Sequence, residues 1–304
     1  MRFDEKPPME MKMKKLIIAA LAIPLLAGVA VAGEGKAKLE KGNVLLSGGL
    51  SKNDFPRLSF PALKLSLKSG WGLCLPITML KDGGVFVIDA GMVSRLAASN
   101  DAVSNLPTDT LKGLNVNVNT GGEFDDLDME FYPPSELKKI VPFIKEAKGT
   151  VMLRFTNGIG STEVTSAQIK KVLTSLFGET LPPHVVLASS HENMLIDLRA
   201  QMPKARIVRF ARPWNDKYYR FLGWGWPEPL SKSLKKHNFE GVIIAWLPGY
   251  TDDVNYHKKL KSLGVKTGCY VTSSDFTTKF ILDAELDFPV INNVSSVSKM
   301  FKDK

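Results

Sequence analysis

The chain has 304 residues, with 40 Lys+Arg against 31 Asp+Glu and a formal net charge of +9. It is 44% hydrophobic and 23% charged, which excludes a disordered or collagen-like chain, and two cysteines cannot build a disulfide framework. One large core is within reach, since an α/β barrel uses about 250 residues as a single unit.

Lys12, Lys14 and Lys15 precede an apolar stretch from Leu16 to Ala32 that closes on Ala30-Val31-Ala32, the small-x-small pattern that signal peptidase accepts. Residues 1–32 therefore read as a secretory signal, with a mature chain of residues 33–304 that is periplasmic or secreted. Asp4, Glu5 and Glu10 dilute the basic region, so Met11 makes a more natural start than Met1. The alternative is a retained anchor at the short edge of a spanning helix, and membrane contact is expected only through that uncleaved segment. No Cys follows the stretch, which argues against a lipid anchor.

Residues 1–32 hold five bases and three acids, so removing them from +9 leaves +7 on the remainder. That excess favours anionic partners such as phosphates. The cations are scattered, without a basic run or aromatic platform, and no nucleic-acid partner is expected.

Along the mature chain, eight short apolar runs stand out: Asn43 to Leu46, Gly72 to Met79, Val151 to Phe155, Val185 to Ala188, Arg206 to Phe210, Gly241 to Trp246, Lys266 to Val271 and Pro289 to Ile291. Most lack polar alternation, as parallel strands covered on both faces do. Helical stretches are expected over Leu58 to Lys68, Ser135 to Ala147, Ser166 to Phe177, Glu192 to Gln201, Asp252 to Leu263 and Ser274 to Leu286. Pro134-Ser135-Glu136 and Asp275 offer capping oxygens at helix starts, and Gly264 offers a stop. Residues 80–149 interrupt the repeat with a Lys81-Asp82-Gly83-Gly84 turn, an extra strand from Val85 to Asp89 and an acidic loop from Glu123 to Glu130. Eight strand–helix repeats predict a TIM (β/α)8 barrel in one domain, with an open doubly wound sheet as runner-up. Ser47-Gly48-Gly49 is no dinucleotide fingerprint, and there is no P-loop.

Leu67 to Ile77, Leu80 to Asp89, Val185 to Ser190, Leu263 to Lys266 with Tyr270 to Thr272, and Leu286 to Ile291 together resemble the glycerophosphodiester phosphodiesterase family of TIM barrels. The resemblance implies a phosphoric diester hydrolase of lipid metabolism that uses a divalent cation and a pair of histidines. It also implies where those groups belong. Ser47 and Gly48 stand in the places of His and Arg, with Gly49 retained. Cys74 and Pro76 stand in the places of two metal-binding carboxylates, and Asp89 in that of a second His. Arg154 and Thr156 align with a Glu-x-Lys pair on strand three. A thiol and a proline ring supply no hard oxygen ligand for calcium or magnesium, and Ser47 is a very poor proton donor near neutral pH.

Cys74 is thus either a nucleophile or soft-metal ligand at the mouth, or a small buried apolar residue. A Cys74–Cys269 disulfide would join strands that are not neighbours in an eight-stranded barrel. His191 follows strand four and could touch a ligand or simply begin a helix. Arg154, with Arg209 and Arg212 on strand five, could form an anion cradle, or the latter two could pack outward. The segment after strand five holds Trp214, Trp224 and Trp226 among arginines, which suits a sugar face, a polyol or a lipid headgroup as well as a hydrophobic cap. Tyr270 stands where the family often has Trp. The expectation is a barrel to which no catalytic residue is assigned and no cofactor, binding an anionic or polyol phosphate ligand or an envelope protein. The alternative is an active diesterase with relocated chemistry, which alone would call for calcium or magnesium.

Overall fold

The computed structural model describes residues 40–50, 55–98, 101–116, 131–156, 164–211, 227–245, 254–271, 275–292 and 301. All belong to one compact unit within Ala37–Lys304. The strands are β1 (Leu45–Ser47), β2 (Gly72–Met79), β3 (Val85–Val87), β4 (Ser135–Glu136), β5 (Val151–Phe155), β6 (Val185–Ser189), β7 (Arg206–Ala211), β8 (Gly241–Ala245), β9 (Lys266–Val271) and β10 (Phe288–Ile291). Between them run α1 (Phe60–Lys68), α2 (Ala90–Leu96), α3 (Thr108–Lys112), α4 (Leu137–Lys145), α5 (Ser166–Phe177), α6 (Glu192–Gln201), α7 (Pro227–Lys236), α8 (Val254–Ser262) and α9 (Asp275–Asp283).

Eight of these strands form a closed parallel ring. In sequence order β1, β2, β5, β6, β7, β8, β9 and β10 each pair with the next, and β10 returns to pair with β1. The expected TIM barrel is therefore present, and the open sheet is excluded. All eight residues of β2 are buried, as a strand with side chains packed on both faces must be.

Alternation along the strands sorts side chains into two layers. Inside the ring lie Leu45, Cys74, Met152, Val186, Ala188, Val208, Phe210, Ile243, Phe288 and Val290. Outside, Leu46, Leu73, Leu75, Leu153, Leu187, Ile207, Ile244 and Cys269 pack with the helices. The two thiols thus lie in different layers, and no disulfide joins them. Gly268 shows how tight the wall is: a Cβ there would run into the Phe288 carbonyl oxygen on the next strand.

The insertion after β2 has its own apolar centre, built by Leu80, Phe86, Ile88, Val93, Val103, Leu111 and Val116. Strand β3 pairs antiparallel with the end of β2, and β4 pairs with β3. The Asp82 carboxylate ties the β2–β3 turn to α3, accepting from the Gly84 N–H (3.0 Å) and from the Thr108 N–H and hydroxyl (2.8 and 2.9 Å).

Helix starts follow the local chemistry with two departures. Ser59 caps α1 through the Ala62 N–H, and Thr165 with Gln168 forms a reciprocal capping box at α5. Ser135 does not cap α4. It pairs with Val87 in β4, and Glu136 takes the cap position without a side-chain bond. The short strand wins because Ser135 is drawn into the β3 ladder, with its hydroxyl donating to the Leu58 carbonyl (3.4 Å). Asp275 is the first residue of α9 rather than the residue ahead of it. Gly264 ends α8 at φ +73°, the left-handed conformation a helix stop requires.

At the opposite end of the barrel from the strand C-termini, Glu240 gathers two cations. It accepts from Arg206 (2.8 and 2.7 Å) and from Lys266 (2.6 Å). Burial pushes the Glu240 carboxyl up, but these hydrogen bonds and charges outweigh it and hold the group below its ordinary 4.5. A carboxylate lowered on folding stabilises fully above its unfolded value, and the contribution is lost as pH falls through the folded value. Glu240→Gln is therefore expected to cost about 1 kcal/mol at pH 7, the size of a partly solvated charged hydrogen bond. In thermal melts from pH 7 to pH 3 the difference from the parent should vanish toward acid; a constant difference would contradict the assignment.

Candidate active-site mouth of the barrel

The strand C-termini gather Ser47, Cys74, Pro76, Arg154, Phe210 and Tyr270 on the inward parity of the register, with Ser47 opposite Cys74, Pro76 opposite Arg154 and Tyr270 opposite Val290. Asp89, two residues beyond β3, joins them through Arg154.

Pro76 sits where a proline is tolerated. The Leu73 N–H donates to Thr150 and the Thr156 N–H to Ile77, so odd residues of β2 face β5. Even residues face β1, whose ladder ends at Ser47 opposite Cys74. From Ile77 onward that side belongs to β3. The missing N–H of Pro76 therefore falls at the fork between two partners, where no ladder bond is forfeited.

Arg154 and Asp89 form the central ion pair. The Arg154 Nη2 donates to Asp89 Oδ2 at 2.9 Å, with the arginine side chain only 15% exposed. The other carboxylate oxygen accepts the Gly91 N–H at 2.9 Å, capping α2. The Thr156 hydroxyl fixes this geometry, accepting from the Ala90 N–H (3.1 Å) and donating to the Ile77 carbonyl (3.3 Å). The guanidinium of Arg154 lies 5.0 Å over the Phe210 ring, which meets Tyr270 edge-on at 6.2 Å.

On the other side of the mouth a second arginine enters. Arg57, from the β1–α1 connection, donates through Nε and Nη2 to the Ser47 carbonyl (3.0 and 2.6 Å), and through Nη2 to the Ser47 hydroxyl (3.2 Å) and Asn292 Oδ1 (3.1 Å). The Tyr270 hydroxyl donates to Asn292 Oδ1 (2.7 Å), so at 2.7 Å the Ser47 hydroxyl is the donor to Tyr270. Gly48 and Gly49 turn the chain here at φ +80° and +90°, and a Cβ at Gly49 would press on the Ala62 carbonyl. Arg57 and Asn292 escaped the sequence reading. Arg57 lies ten positions beyond Ser47 in a connection without motif, and only the fold returns it to the strand end.

The remaining candidates are placed as follows. His191 is the N-cap residue of α6, where its backbone N–H donates to Ser189 Oγ (3.2 Å) and its side chain makes no cap bond. Arg209 alternates with the inward Val208 and Phe210, so it faces outward, 4.0 Å from Glu192 on α6. It is not part of the mouth. Arg212, Trp214, Trp224, Trp226 and the acidic loop from Glu123 to Glu130 lie outside the described residues.

Cys74 is 1% exposed, and burial pushes its thiol up to about 11, with Asp89 adding to the rise and Arg154 only partly offsetting it. It is a neutral thiol at pH 7, not a nucleophile. Nor do the donors fit a hard divalent cation: a buried thiol and a proline ring carry no oxygen, and the Asp89 carboxylate is already shared between Arg154 and a helix terminus. Among the described residues no three His, Cys, Asp or Glu side chains come together to hold an ion. Among the described residues the strand ends thus present two guanidinium groups, two hydroxyls and one engaged carboxylate.

No protein-family model and no curated protein matches the sequence. Solved structures do. An Oleispira antarctica phosphodiesterase in complex with the product sn-glycerol-3-phosphate is 17% identical at a TM-score of 0.65, covering 86% of this chain and 97% of that one. Glycerophosphodiester phosphodiesterases from Parabacteroides distasonis (13% identical, TM-score 0.57, covering 86% and 98%) and Agrobacterium tumefaciens (17%, 0.54, covering 84% and 96%) match over similar spans. The chain has the glycerophosphodiester phosphodiesterase fold. At these identities the likeness concerns the barrel and its connections, and the side chains at the mouth stand on their own.

In that barrel the thiol of Cys74 is expected to resist iodoacetamide at pH 8 in the native state and to react once unfolded. Mass spectrometry of labelled protein checks this, and rapid native labelling of Cys74 would refute its assignment as a neutral, enclosed thiol.

Proposed function

We propose that this protein is a glycerophosphodiester phosphodiesterase-like barrel that binds an anionic or polyol phosphate ligand at its mouth without hydrolysing it. The observation that carries the reading is the Arg154–Asp89 ion pair, 2.9 Å long. It puts a fixed cation beside Pro76 and Cys74, where the resemblance implies metal-binding carboxylates, and it occupies the carboxylate best placed to accept a proton. Cleavage of a phosphodiester needs a base for the attacking group and an acid for the leaving group. Asp89 serves as neither while it holds Arg154, and Ser47 is a weak acid tied to Tyr270 and Arg57. Binding needs only donors, and guanidinium groups supply them in the planar, forked form that phosphate oxygens accept.

We further propose that the chain is exported, on the strength of the Lys12 to Ala32 segment. N-terminal mass analysis of protein recovered from its native host should give a chain beginning near residue 33. Recovery of the full-length chain in the membrane fraction would overturn export by cleavage.

The second reading, an active diesterase with relocated chemistry, is separated by assay. Purified protein incubated with glycerophosphocholine and either calcium or magnesium is expected to release no choline above the no-enzyme rate. Turnover abolished by Asp89→Asn would overturn the binding-only reading and make Asp89 the base.

A further inference from the structure

The mouth carries more positive charge than its ion pair consumes. Arg57 has three acceptors, and among the described residues none is a carboxylate: the Ser47 carbonyl, the Ser47 hydroxyl and the Asn292 amide oxygen are all neutral. They engage Nε and Nη2, and Nη1 has no acceptor among the described residues. Arg154 has one carboxylate partner through Nη2, while its Nε is buried with no acceptor among the described residues. Two guanidinium groups against one carboxylate leave one positive charge uncompensated among these residues.

The two arginines belong to one assembly. From Arg57 the contacts run through Ser47 to Tyr270 (2.7 Å), from Tyr270 to Phe210 (6.2 Å) and from Phe210 to Arg154 (5.0 Å). They line the barrel opening from β1 round to β5. Arg57 and Arg154 thus stand on two sides of one opening with hydrogen-bonding capacity unspent on each.

We infer that Arg57 and Arg154 jointly bind the phosphate group of the ligand, two fixed guanidinium charges doing what a divalent cation would otherwise do. This rests on the reading of the mouth as a phosphate-binding site and adds to it a residue and a metal independence. Buried donors without acceptors are costly, and a phosphate oxygen satisfies the Arg154 Nε as readily as the Arg57 Nη1. A divalent cation in the same space would meet two like charges and a carboxylate already shared, so it competes with the arginines rather than assisting them.

Titration calorimetry of the purified protein with inorganic phosphate, sn-glycerol 3-phosphate and glycerophosphocholine tests the inference, in EDTA and again with added calcium or magnesium. Binding of at least one probe is expected, unchanged by EDTA and not strengthened by either cation. Comparison of the three separates recognition of free phosphate, a monoester or a diester. Arg57→Gln and Arg154→Gln should each weaken that binding about tenfold or more, the loss of one charge-assisted contact. Arg57→Lys keeps the charge and should recover most of the affinity, and the salt dependence of binding should flatten in Arg57→Gln, which a purely bracing role for Arg57 would not produce. Failure of every probe to bind the parent protein overturns the proposed function itself. Binding that is lost in Arg154→Gln yet intact in Arg57→Gln leaves that function standing and overturns the role of Arg57, and binding that requires a divalent cation overturns the metal independence. Should Arg57→Gln fail to fold, Arg57→Lys with the salt series decides.

Discussion

A guanidinium held inside the mouth of a barrel is the constraint around which this site is arranged. Arg154 is five-sixths buried, and a charge so placed is tolerated only with a partner of opposite sign and good geometry. Asp89 is that partner, and it is available because the insertion after β2 brings it there. The β2–β3 hairpin reverses the chain, α2 starts at Ala90, and Thr156 pins that start to β5. The side core of Leu80, Phe86, Ile88 and Val93 keeps the hairpin in place, so the electrostatics of the mouth depend on the packing of the insertion.

The same pairing engages both oxygens of the Asp89 carboxylate, one with the Arg154 guanidinium and one with the N-terminus of α2. The proline at the β1–β3 fork removes a backbone donor at no cost to the sheet, and the buried thiol is neutral. Both positions fit the barrel: Pro76 forfeits no ladder bond, and Cys74 packs inside the ring with Leu45 and Met152.

Much of the framework was legible in the sequence because it rests on the simplest signal, runs of apolar and β-branched residues long enough to be strands. All eight barrel strands lie within a residue or two of those runs. Helix α7 was not legible: Pro227-Glu228-Pro229-Leu230-Ser231-Lys232-Ser233-Leu234 offers only Leu230 and Leu234 as an apolar face, and two prolines argue against a helix until the chain is seen to begin one there. Ser135 was misread because a capping residue and a strand residue look alike without the neighbouring ladder. At the site, Arg154 and Asp89 could be singled out from alignment with a known pattern, but not their contact, which joins residues 65 apart. Arg57 and Asn292 carried no signal at all, since a lone arginine in a connection and an asparagine after the last strand acquire meaning only when the ring closes.

The two cysteines lie in separate compartments of the molecule, one sealed within the ring and one between ring and helices. A wall of hydrogen-bonded backbone stands between their sulfurs. The barrel is therefore held without a disulfide between them whether its surroundings are reducing or oxidising, and folding it calls on neither a thiol oxidase nor an isomerase.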